Sequence, residues 1–549
     1  MKKICFILIL TLQSIFSSAE RHFRTPSFWS PKNIFFSTLI QGSSHTAWVL
    51  EIGQELAAKG HNFTFICRSY SEKYLRDYPA VNLLRIIGED PVAEYDKFAV
   101  VLQQKEHNIE LMRSLFSLVQ ITFREDYLQY SKYFQEYKPD VVLCDAFIHA
   151  CIYAADENKI PVIVTSTMAV SEDASASFVN NLLIGNPTTE HESLWTRFYN
   201  KYIFGAKLLW TIRKTCSEKI AVQQELGISS NQVLPHKMKD SVKLVNNFFG
   251  MEPARPLGPL VRFAGPILSS SYPTLDAYTA EFLDAHKRVA YIAFGHHSIS
   301  APHELQNILL ALVDSIEANT FDGFLWVIRD AVNFPEIVTS TLGTKMNVSD
   351  IISNGEKYPH YRFSKWAPQF AILSHPSTAL FVTHGGANSL FESLYNGKKM
   401  LFHPYFGDQA TNVKMLERSG VGLVYDRFSP NAKDMVRKMR LVVQDEDGQF
   451  ARNMRRMSAL VQLKAAEAIP NAISTIEEVI FSSDVDEVPH LYPASRNMSY
   501  IKANNIDLQF IILCLASILC FLTYSTGRAL YRTLYNFFYP FYLLFSKMV

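Results

Sequence analysis

The residues with the clearest chemical pattern lie between positions 363 and 427. There an apolar run, ALFVT, meets His384-Gly385-Gly386 and then an amphipathic segment, which predicts a strand, a tight loop and a helix. Glycines let the backbone approach a ligand closely, and a helix beginning near Ala387 leaves N–H groups and the positive end of its dipole at the loop. This stretch therefore predicts an anion site that suits a pyrophosphate.

Polar side chains extend this site along the same predicted helix. Asn388 and Ser389 lie four and three residues before Glu392, so the three share one face. Glu392 would lie about one turn deeper than the phosphate, where a carboxylate can accept hydrogen bonds from a ribose diol.

Two further groups flank the helix in the sequence. Upstream, Trp366 offers an indole face for stacking a base and Gln369 an amide that can read the edge of that base. Downstream, Asp408 and Gln409 follow the strand KMLFHP, where an acid and an amide can hold sugar hydroxyls. Each element alone has a plainer interpretation, since a Gly-Gly pair is usually a turn and a Trp usually core. Asp408 alone could cap the helix that begins near Ala410.

The ordered set resembles the signature of the UDP-glycosyltransferase family, the UDP-glucuronosyl and UDP-glucosyltransferases of animals. The resemblance implies that the Trp stacks uracil, the Gln reads it, the His and the following helix bind diphosphate, the Glu holds ribose, and the Asp-Gln pair holds the donor sugar. The UDP-sugar-binding residues that it implies are Trp366, Gln369, His384, Gly386, Asn388, Ser389, Glu392, Asp408 and Gln409.

The first elements of the chain must position a second set of groups. The runs NIFFSTLI, TAWVLEIGQELAAKGH and NFTFICR read as strand, helix and strand, so a parallel sheet is expected. His45 then lies at the carboxyl edge of the first strand, where open α/β sheets bind ligands. A lone His at a helix start is more often a capping or solvated residue, but the family resemblance implies a catalytic base in this Gly-Ser-His setting.

A later strand, VVLCDAF, ends at Asp145 and is followed by a helix and the strand VIVTST. Asp145 therefore lies at the same edge as His45, although an Asp after a strand is often a helix cap. The resemblance implies that Asp145 orients and charges the catalytic His45.

A second strand–helix series begins at Val289 with VAYIAFGHHS and runs into the opening tract. Two such series imply two doubly wound halves, which matches the GT-B architecture of the family. One departure is that His296 and His297 follow Gly295, where the family usually carries a small hydroxyl residue near the phosphates; Ser298 comes after them. Either a His takes the phosphate contact or the loop is rearranged.

Composition excludes several classes of protein. With 53 basic and 52 acidic residues the net charge is +1, so nothing indicates a nucleic-acid binder. The seven cysteines show no CxxC or His/Cys spacing, so no metal site is expected, and a disulfide scaffold is not expected in a chain of 549 residues.

Residues 171–250 hold apolar-aromatic helical stretches, which could be core helices, could shape an acceptor pocket or could lie against a membrane.

The two ends of the chain indicate a membrane protein. Residues 1–19 combine Lys2 and Lys3, an apolar run and Ser17-Ser18-Ala19, as in a secretory signal peptide. The run LQFIILCLASILCFLTY is long enough to span a bilayer, and Arg528 and Arg532 after it place the C-terminus in the cytosol. The tail is expected to be broken by Pro540 and to lie at the interface. Its last residues contain one lysine where the family often has a dilysine retrieval signal.

We expect an α/β protein of GT-B type, with two facing Rossmann-like doubly wound domains and a C-terminal transmembrane helix. The expected parts are a signal peptide (1–19), an acceptor-binding domain (20–252), a linker (253–288), a UDP-sugar-binding domain (289–485), a juxtamembrane linker (486–507), the transmembrane helix (508–524) and a cytosolic tail (525–549).

The expected function is that of an inverting transferase moving glucuronic acid or glucose from a UDP-sugar to a hydroxyl of a small lipophilic acceptor, as in detoxification by conjugation. No cofactor or metal is expected, because the UDP-sugar is the co-substrate. We expect a single-pass type I protein of the endoplasmic reticulum membrane, lumenal and glycosylated, that binds no nucleic acid, and we leave a homo-oligomer open. The alternative is a non-catalytic membrane-anchored protein that binds nucleotide-sugar or lipid on the same fold.

Overall fold

The computed structural model describes residues 28–546 except 41, 89–108, 119, 181–185, 231–233, 296–297, 330 and 429. The predicted signal peptide, the pair His296 and His297, and the terminal residues 547–549 lie outside the described residues.

The first half of the chain forms a seven-stranded parallel sheet in the order β3-β2-β1-β4-β5-β6-β7. Its central strands are runs of Val, Ile, Phe and Cys buried on both faces, as expected where helices cover both sides of a sheet. The strands are β1 (Asn33–Ser37), β2 (Asn62–Cys67), β3 (Asn82–Arg85), β4 (Val141–Asp145), β5 (Val162–Ser166), β6 (Val242–Val245) and β7 (Val261–Phe263).

Helices cover both faces of this sheet. The helices of this half are α1 (Ser43–Ala58), α2 (Ile109–Leu118), α3 (Phe123–Tyr137), α4 (His149–Glu157), α5 (Leu194–Phe198), α6 (Gly205–Glu225) and α7 (Lys237–Asp240). A π-helical segment, Tyr199–Phe204, joins α5 to α6 without a break in the helix. None of residues 194–211 is buried, so the interpretation of this stretch as a core helix is wrong.

The second half forms a six-stranded parallel sheet in the order β12-β9-β8-β13-β14-β15, with a small antiparallel ribbon of β10 and β11 beside it. The strands are β8 (Val289–Ala293), β9 (Gly323–Val327), β10 (Ile337–Thr339), β11 (Lys345–Asn347), β12 (Tyr361–Ser364), β13 (Thr378–Thr383), β14 (Met400–Phe402) and β15 (Gly422–Val424). The helices are α8 (Ala277–Asp284), α9 (Pro302–Glu317), α10 (Val348–Ser353), α11 (Gln369–Ser374), α12 (Ala387–Tyr395), α13 (Gln409–Arg418), α14 (Ala432–Gln444) and α15 (Gln449–Ser482).

Both sheets reverse their strand order at one point, between β1 and β4 in the first and between β8 and β13 in the second. Such a reversal opens a crevice at the carboxyl ends of the strands, because the connections on its two sides lead away in opposite directions. The prediction of two doubly wound α/β halves is confirmed.

The long helix α15 returns to the first half of the chain. Its Glu477 carboxylate accepts hydrogen bonds from the Lys59 ammonium at 2.6 Å, from His61 Nε2 at 3.2 Å and from Trp29 Nε1 at 3.5 Å. These hydrogen bonds join the C-terminal part of α15 to Trp29 and to the residues between α1 and β2 of the first half. The predicted domain boundaries stay a prediction.

Residues 491–549 form a separate unit that holds α16 (Tyr500–Ala503) and α17 (Ile506–Phe545). The segment Ile506–Leu543 is long and apolar enough to cross a membrane, with a mean hydropathy of 2.3. The expectation that Pro540 breaks the tail is wrong, because α17 continues through this residue. A proline removes one backbone hydrogen bond, but the residues on either side keep theirs.

Candidate active site

Two side chains meet at the crevice of the first sheet. His45 is the third residue of α1, which follows β1, and Asp145 is the last residue of β4, the neighbour of β1 at the point of reversal. His45 Nδ1 lies 2.6 Å from Asp145 Oδ2. The structure therefore brings together two predicted residues that are 100 positions apart.

The Asp145 carboxylate fixes the orientation of the imidazole. Asp145 Oδ2 accepts the Nδ1–H of His45, which leaves Nε2 as the atom that can accept a proton from a substrate. The other oxygen, Oδ1, accepts the backbone N–H of Phe147 at 2.9 Å, and the Phe147 ring meets the His45 ring edge-on at 5.7 Å between centroids. Asp145 therefore does not cap α4, and His45 does not cap α1, whose N-cap is Gly42.

Burial and charge act in opposite directions on His45. Burial by itself lowers the pKa of the imidazole, but the charge and hydrogen bond of Asp145, together with the charge of Asp408, raise this pKa above its ordinary value. Asp408 belongs to the second half of the chain, so charges from both halves act on this histidine.

His384 marks the crevice of the second sheet. Its ring lies against the loops that follow β8 and β13: a Cβ at Gly295 would come within 2.9 Å of His384 Nε2, and a Cβ at Gly386 within 2.4 Å. Gly295 also has a φ of +72°, which side chains rarely adopt. Both glycines are needed for the imidazole to enter this crevice.

The N-terminus of α12 opens beside His384. Its N-cap is Gly386, no side chain caps the helix, and its first turn holds no acid. Asn388 Oδ1 is buried and has no hydrogen-bond partner among the described residues. Unpaired helix N–H groups and an amide next to them can bind an anion, and the diphosphate contact stays a prediction.

Glu392, Gln369 and Ser389 form one hydrogen-bonded group on the inner face of α12. Gln369 Nε2 donates to Glu392 Oε2 at 2.7 Å and to Ser389 Oγ at 3.1 Å, and the Tyr291 hydroxyl donates to Gln369 Oε1 at 3.4 Å. Burial raises the pKa of Glu392 to about 7, although hydrogen bonds from Gln369 and Tyr272 oppose this. The Glu392 carboxyl group is thus held by Gln369 and Tyr272, and its contact with a ribose diol stays a prediction.

Trp366 is a surface residue. Its side chain is 59% exposed, in the loop between β12 and α11, so the alternative that it belongs to the core is wrong. The hydroxyl of Ser364 donates to the carbonyl of Trp366 and holds the loop. An exposed indole face remains available for stacking.

Asp408 and Gln409 occupy the loop between β14 and α13 and play different structural parts. Gln409 Oε1 accepts the backbone N–H groups of Tyr405 at 2.8 Å and Phe406 at 3.1 Å, so only its amide nitrogen can reach a ligand. Asp408 Oδ2 accepts from Asn412 Nδ2 at 2.8 Å, and the side chain makes no cap hydrogen bond to α13. Burial raises the pKa of Asp408, against the lowering effects of Asn412 and His45.

A cavity of about 250 Å³ lies between α1 and α12. The first half lines it with Trp48 and Glu51, the second with Asn388 and Glu392, and Tyr272 closes it from the linker. Sequence reasoning missed Glu51 and Tyr272, because nothing in the local pattern separates a buried carboxylate or phenol on a site from one in the core.

A second cavity, of about 620 Å³, lies in the first half of the chain beside α13. Its apolar lining includes Phe178, Phe204 and Leu208, and its polar lining includes Glu252, whose charge adds to the raised pKa of Asp408. The aromatic helical stretch within residues 171–250 therefore lines this cavity with one face, and its other face is exposed.

A disulfide joins Cys144 to Cys151, with 5.9 Å between their Cα atoms. No disulfide scaffold was expected from the sequence, and this single bond was not predicted. The two cysteines are seven positions apart, one at the end of a strand and one in the first turn of the following helix, and this spacing was the available signal.

Ser298 Oγ, just after the undescribed pair His296 and His297, is buried without a hydrogen-bond partner in the part of the chain that the structure describes.

Among the described residues, no group of three or more His, Cys, Asp or Glu side chains is arranged to hold a metal ion. The expectation that no cofactor is needed stays a prediction.

Comparison with known proteins finds one family over most of the chain. The family described as UDP-glucoronosyl and UDP-glucosyl transferase matches residues 29–537. A UDP-glycosyltransferase of Talaromyces amestolkiae is 28% identical over 495 residues, which cover 86% of this chain and 92% of that protein. Human UDP-glucuronosyltransferase 1A9 is 29% identical over 168 residues, 31% of each chain.

Solved structures share the fold at low identity. The glycotransferase of kitacinnamycin has a TM-score of 0.57 at 18% identity and covers 82% of this chain and 100% of its own. Phytolacca americana UGT2, complexed with UDP-2fluoro-glucose and pterostilbene, has a TM-score of 0.53 at 18% identity and covers 83% and 100%. These similarities confirm the predicted GT-B fold.

Proposed function

Because the chain belongs to the family of UDP-glucoronosyl and UDP-glucosyl transferases, which move a sugar from a UDP-sugar, we propose that it is an inverting glycosyltransferase acting on a hydroxyl of a small lipophilic acceptor. The observation that carries this proposal is the pair of His45 Nδ1 and Asp145 Oδ2, 2.6 Å apart at the crevice of the first sheet. A base held in this way has one nitrogen free for an acceptor hydroxyl.

Displacement at the anomeric carbon needs a deprotonated acceptor oxygen, a leaving group and a site from which water is excluded. His45 Nε2 takes the acceptor proton while the acceptor oxygen bonds to the anomeric carbon and the bond from that carbon to the diphosphate oxygen breaks. Asp145, held by the Phe147 N–H, stabilises the imidazolium that forms. The reaction needs no metal if the helix terminus stabilises the leaving diphosphate.

The donor occupies the second half of the chain in this proposal. Uracil stacks on the exposed face of Trp366 and the ribose diol donates to Glu392. Gln369, which already bonds to Glu392 and Ser389, reads the uracil edge with its amide oxygen. The diphosphate lies at the start of α12, whose N–H groups no side chain caps.

The sugar is proposed to lie between the two halves, where Asp408 and His45 influence each other's pKa. Asp408 and the amide nitrogen of Gln409 hold its hydroxyls, and we propose glucuronic acid or glucose as the sugar. The cavity lined by Phe178, Phe204 and Leu208 receives the apolar body of the acceptor. Its size, about 620 Å³, fits a small molecule.

The chain is proposed to be a single-pass type I protein of the endoplasmic reticulum membrane, with both α/β halves in the lumen. Within the apolar helix Ile506–Leu543, residues 508–524 carry no charge and support an anchor, and Arg528 and Arg532 after them support a cytosolic end. Trp195 and Trp210 are 65% and 68% exposed, and five cations and no acid lie between positions 193 and 214. Such a surface favours contact with lipid head groups, from which a lipophilic acceptor can enter the adjoining cavity.

The proposal is tested with the purified full-length protein. UDP-glucose and UDP-glucuronic acid are each supplied with a panel of phenols, sterols and alcohols, and UDP release and product mass are measured. His45→Ala should lower turnover by roughly 10²–10⁴-fold while UDP still binds, and His191→Ala, at an exposed histidine, should change neither. UDP binding without release for any pair would favour the non-catalytic binding protein, and near wild-type turnover of His45→Ala on an alcohol would reject the base.

A further inference from the structure

We propose that the disulfide between Cys144 and Cys151 is a positioning device for the catalytic pair, so that breaking it lowers turnover without weakening the binding of UDP. This inference rests on the proposed function, in which His45 is the base and Asp145 its partner. The two cysteines are positioning residues, since they act through Asp145 and touch no substrate.

The bond closes a loop around Asp145. Cys144 immediately precedes this residue in β4, and Cys151 is the third residue of α4, so the bond encloses residues 145–150. Both cysteines are fully buried. The end of the strand and the start of the helix are therefore joined covalently at the position where the carboxylate must be held.

The enclosed loop supplies two of the groups that contact His45. One is the carboxylate of Asp145, and the other is the ring of Phe147, whose edge faces the imidazole. The loop is also bonded within itself: the Phe147 N–H donates to Asp145 Oδ1 at 2.9 Å, and the Ile148 N–H donates to the Asp145 carbonyl at 2.9 Å. A shift of this loop would move both contacts of the base together.

The start of α4 lacks the usual means of fixing a helix. Its N-cap is Ile148, which has no side chain that can accept from the first N–H groups. The disulfide supplies, from the strand side, a restraint that a capping side chain would otherwise provide. Since a misplacement of about 1 Å in an active site can cost about 10²-fold in rate, a restraint here bears on turnover.

The bond also fits the proposed compartment. Disulfides form and persist in oxidising compartments such as the lumen of the endoplasmic reticulum and are rare in the cytosol. The other described cysteines of the lumenal part, Cys67 and Cys216, are free.

The test compares full-length wild-type protein with the variant Cys144→Ala/Cys151→Ala and with Cys216→Ala as a matched control. Peptide mapping without reduction should find residues 144 and 151 linked in the wild type. The double variant should lose about 10-fold to 10²-fold in kcat on an alcohol acceptor and keep its UDP affinity within about twofold. The acid limb of its kcat/KM profile should move to lower pH, because a loosened Asp145 no longer raises the pKa of His45.

Three results would overturn the inference: unlinked cysteines in the wild type, full turnover in the double variant, or a loss of turnover with an unmoved pH profile, which would indicate a merely structural role. If the double variant does not fold, the single variant Cys151→Ala, which breaks the bond and keeps the Cys144 side chain next to Asp145, gives the same readouts. A wild type that transfers no sugar refutes the proposed function, whereas an active wild type with an indifferent double variant refutes this inference alone.

Discussion

Replacing Asp145 by Asn removes the charge beside His45 and keeps the size of the side chain. The two groups touch at 2.6 Å, and their charges are centred about 4 Å apart once the acceptor proton has moved to the imidazole. At an effective dielectric constant of about 20 this attraction is worth about 4 kcal/mol, of which each 1.4 kcal/mol is tenfold in rate. We therefore expect kcat to fall by about 10³-fold.

The assay is steady-state UDP release with an aliphatic alcohol as acceptor, because a phenol ionises in part without help. UDP affinity and melting temperature are measured on the same preparation to separate chemistry from folding. In the wild type the raised pKa of His45 makes the base lose activity as pH falls through that value. Without the Asp145 charge the pKa falls, so the acid limb of kcat/KM should move to lower pH.

A loss of less than tenfold in kcat, at equal UDP affinity and equal melting temperature, would refute the reasoning. It would mean that the imidazolium at His45 needs no partner, or that another group removes the acceptor proton. An unmoved acid limb would show that a residue other than His45 sets the pH dependence.

Four further outcomes are expected. Trp366→Ala should weaken UDP binding by about 1–3 kcal/mol, measured by calorimetry, without a change in melting temperature, because the indole is exposed. Asp408→Ala should lower kcat and leave UDP affinity nearly unchanged; a lower melting temperature with normal turnover per folded molecule would reject the sugar contact. Glu392→Gln should raise the melting temperature at pH 8 more than at pH 5, because a carboxyl whose folded pKa is raised to about 7 loses stability as pH rises through that value, and UDP should bind more weakly. Asn62, Asn347 and Asn497 each begin an N-x-Ser/Thr glycosylation sequence and are exposed, so glycosidase should shift the mobility of protein made in a eukaryotic cell; cleavage of the bulk of the chain by protease added to sealed microsomes would overturn the lumenal orientation.

The local sequence determined much of the proposed donor site. Trp366, His384 and Glu392 lie on elements that follow one another within a few dozen residues, so strand–loop–helix signals alone place them at one sheet edge. The same rule placed His45 and Asp145 at one edge of the first sheet, because successive parallel strands end on the same side.

The tertiary structure alone decided which of these groups touch. The 2.6 Å contact of His45 with Asp145 depends on β1 and β4 being neighbours, and the mutual effect of His45 and Asp408 depends on how the two sheets pack. The disulfide at Cys144 was missed for the same reason, since a pairing depends on the approach of two Cβ atoms and not on spacing alone. Sequence patterns report burial along one element, whereas contacts between elements are set by the packing of side chains distant in the chain, and no local periodicity records them.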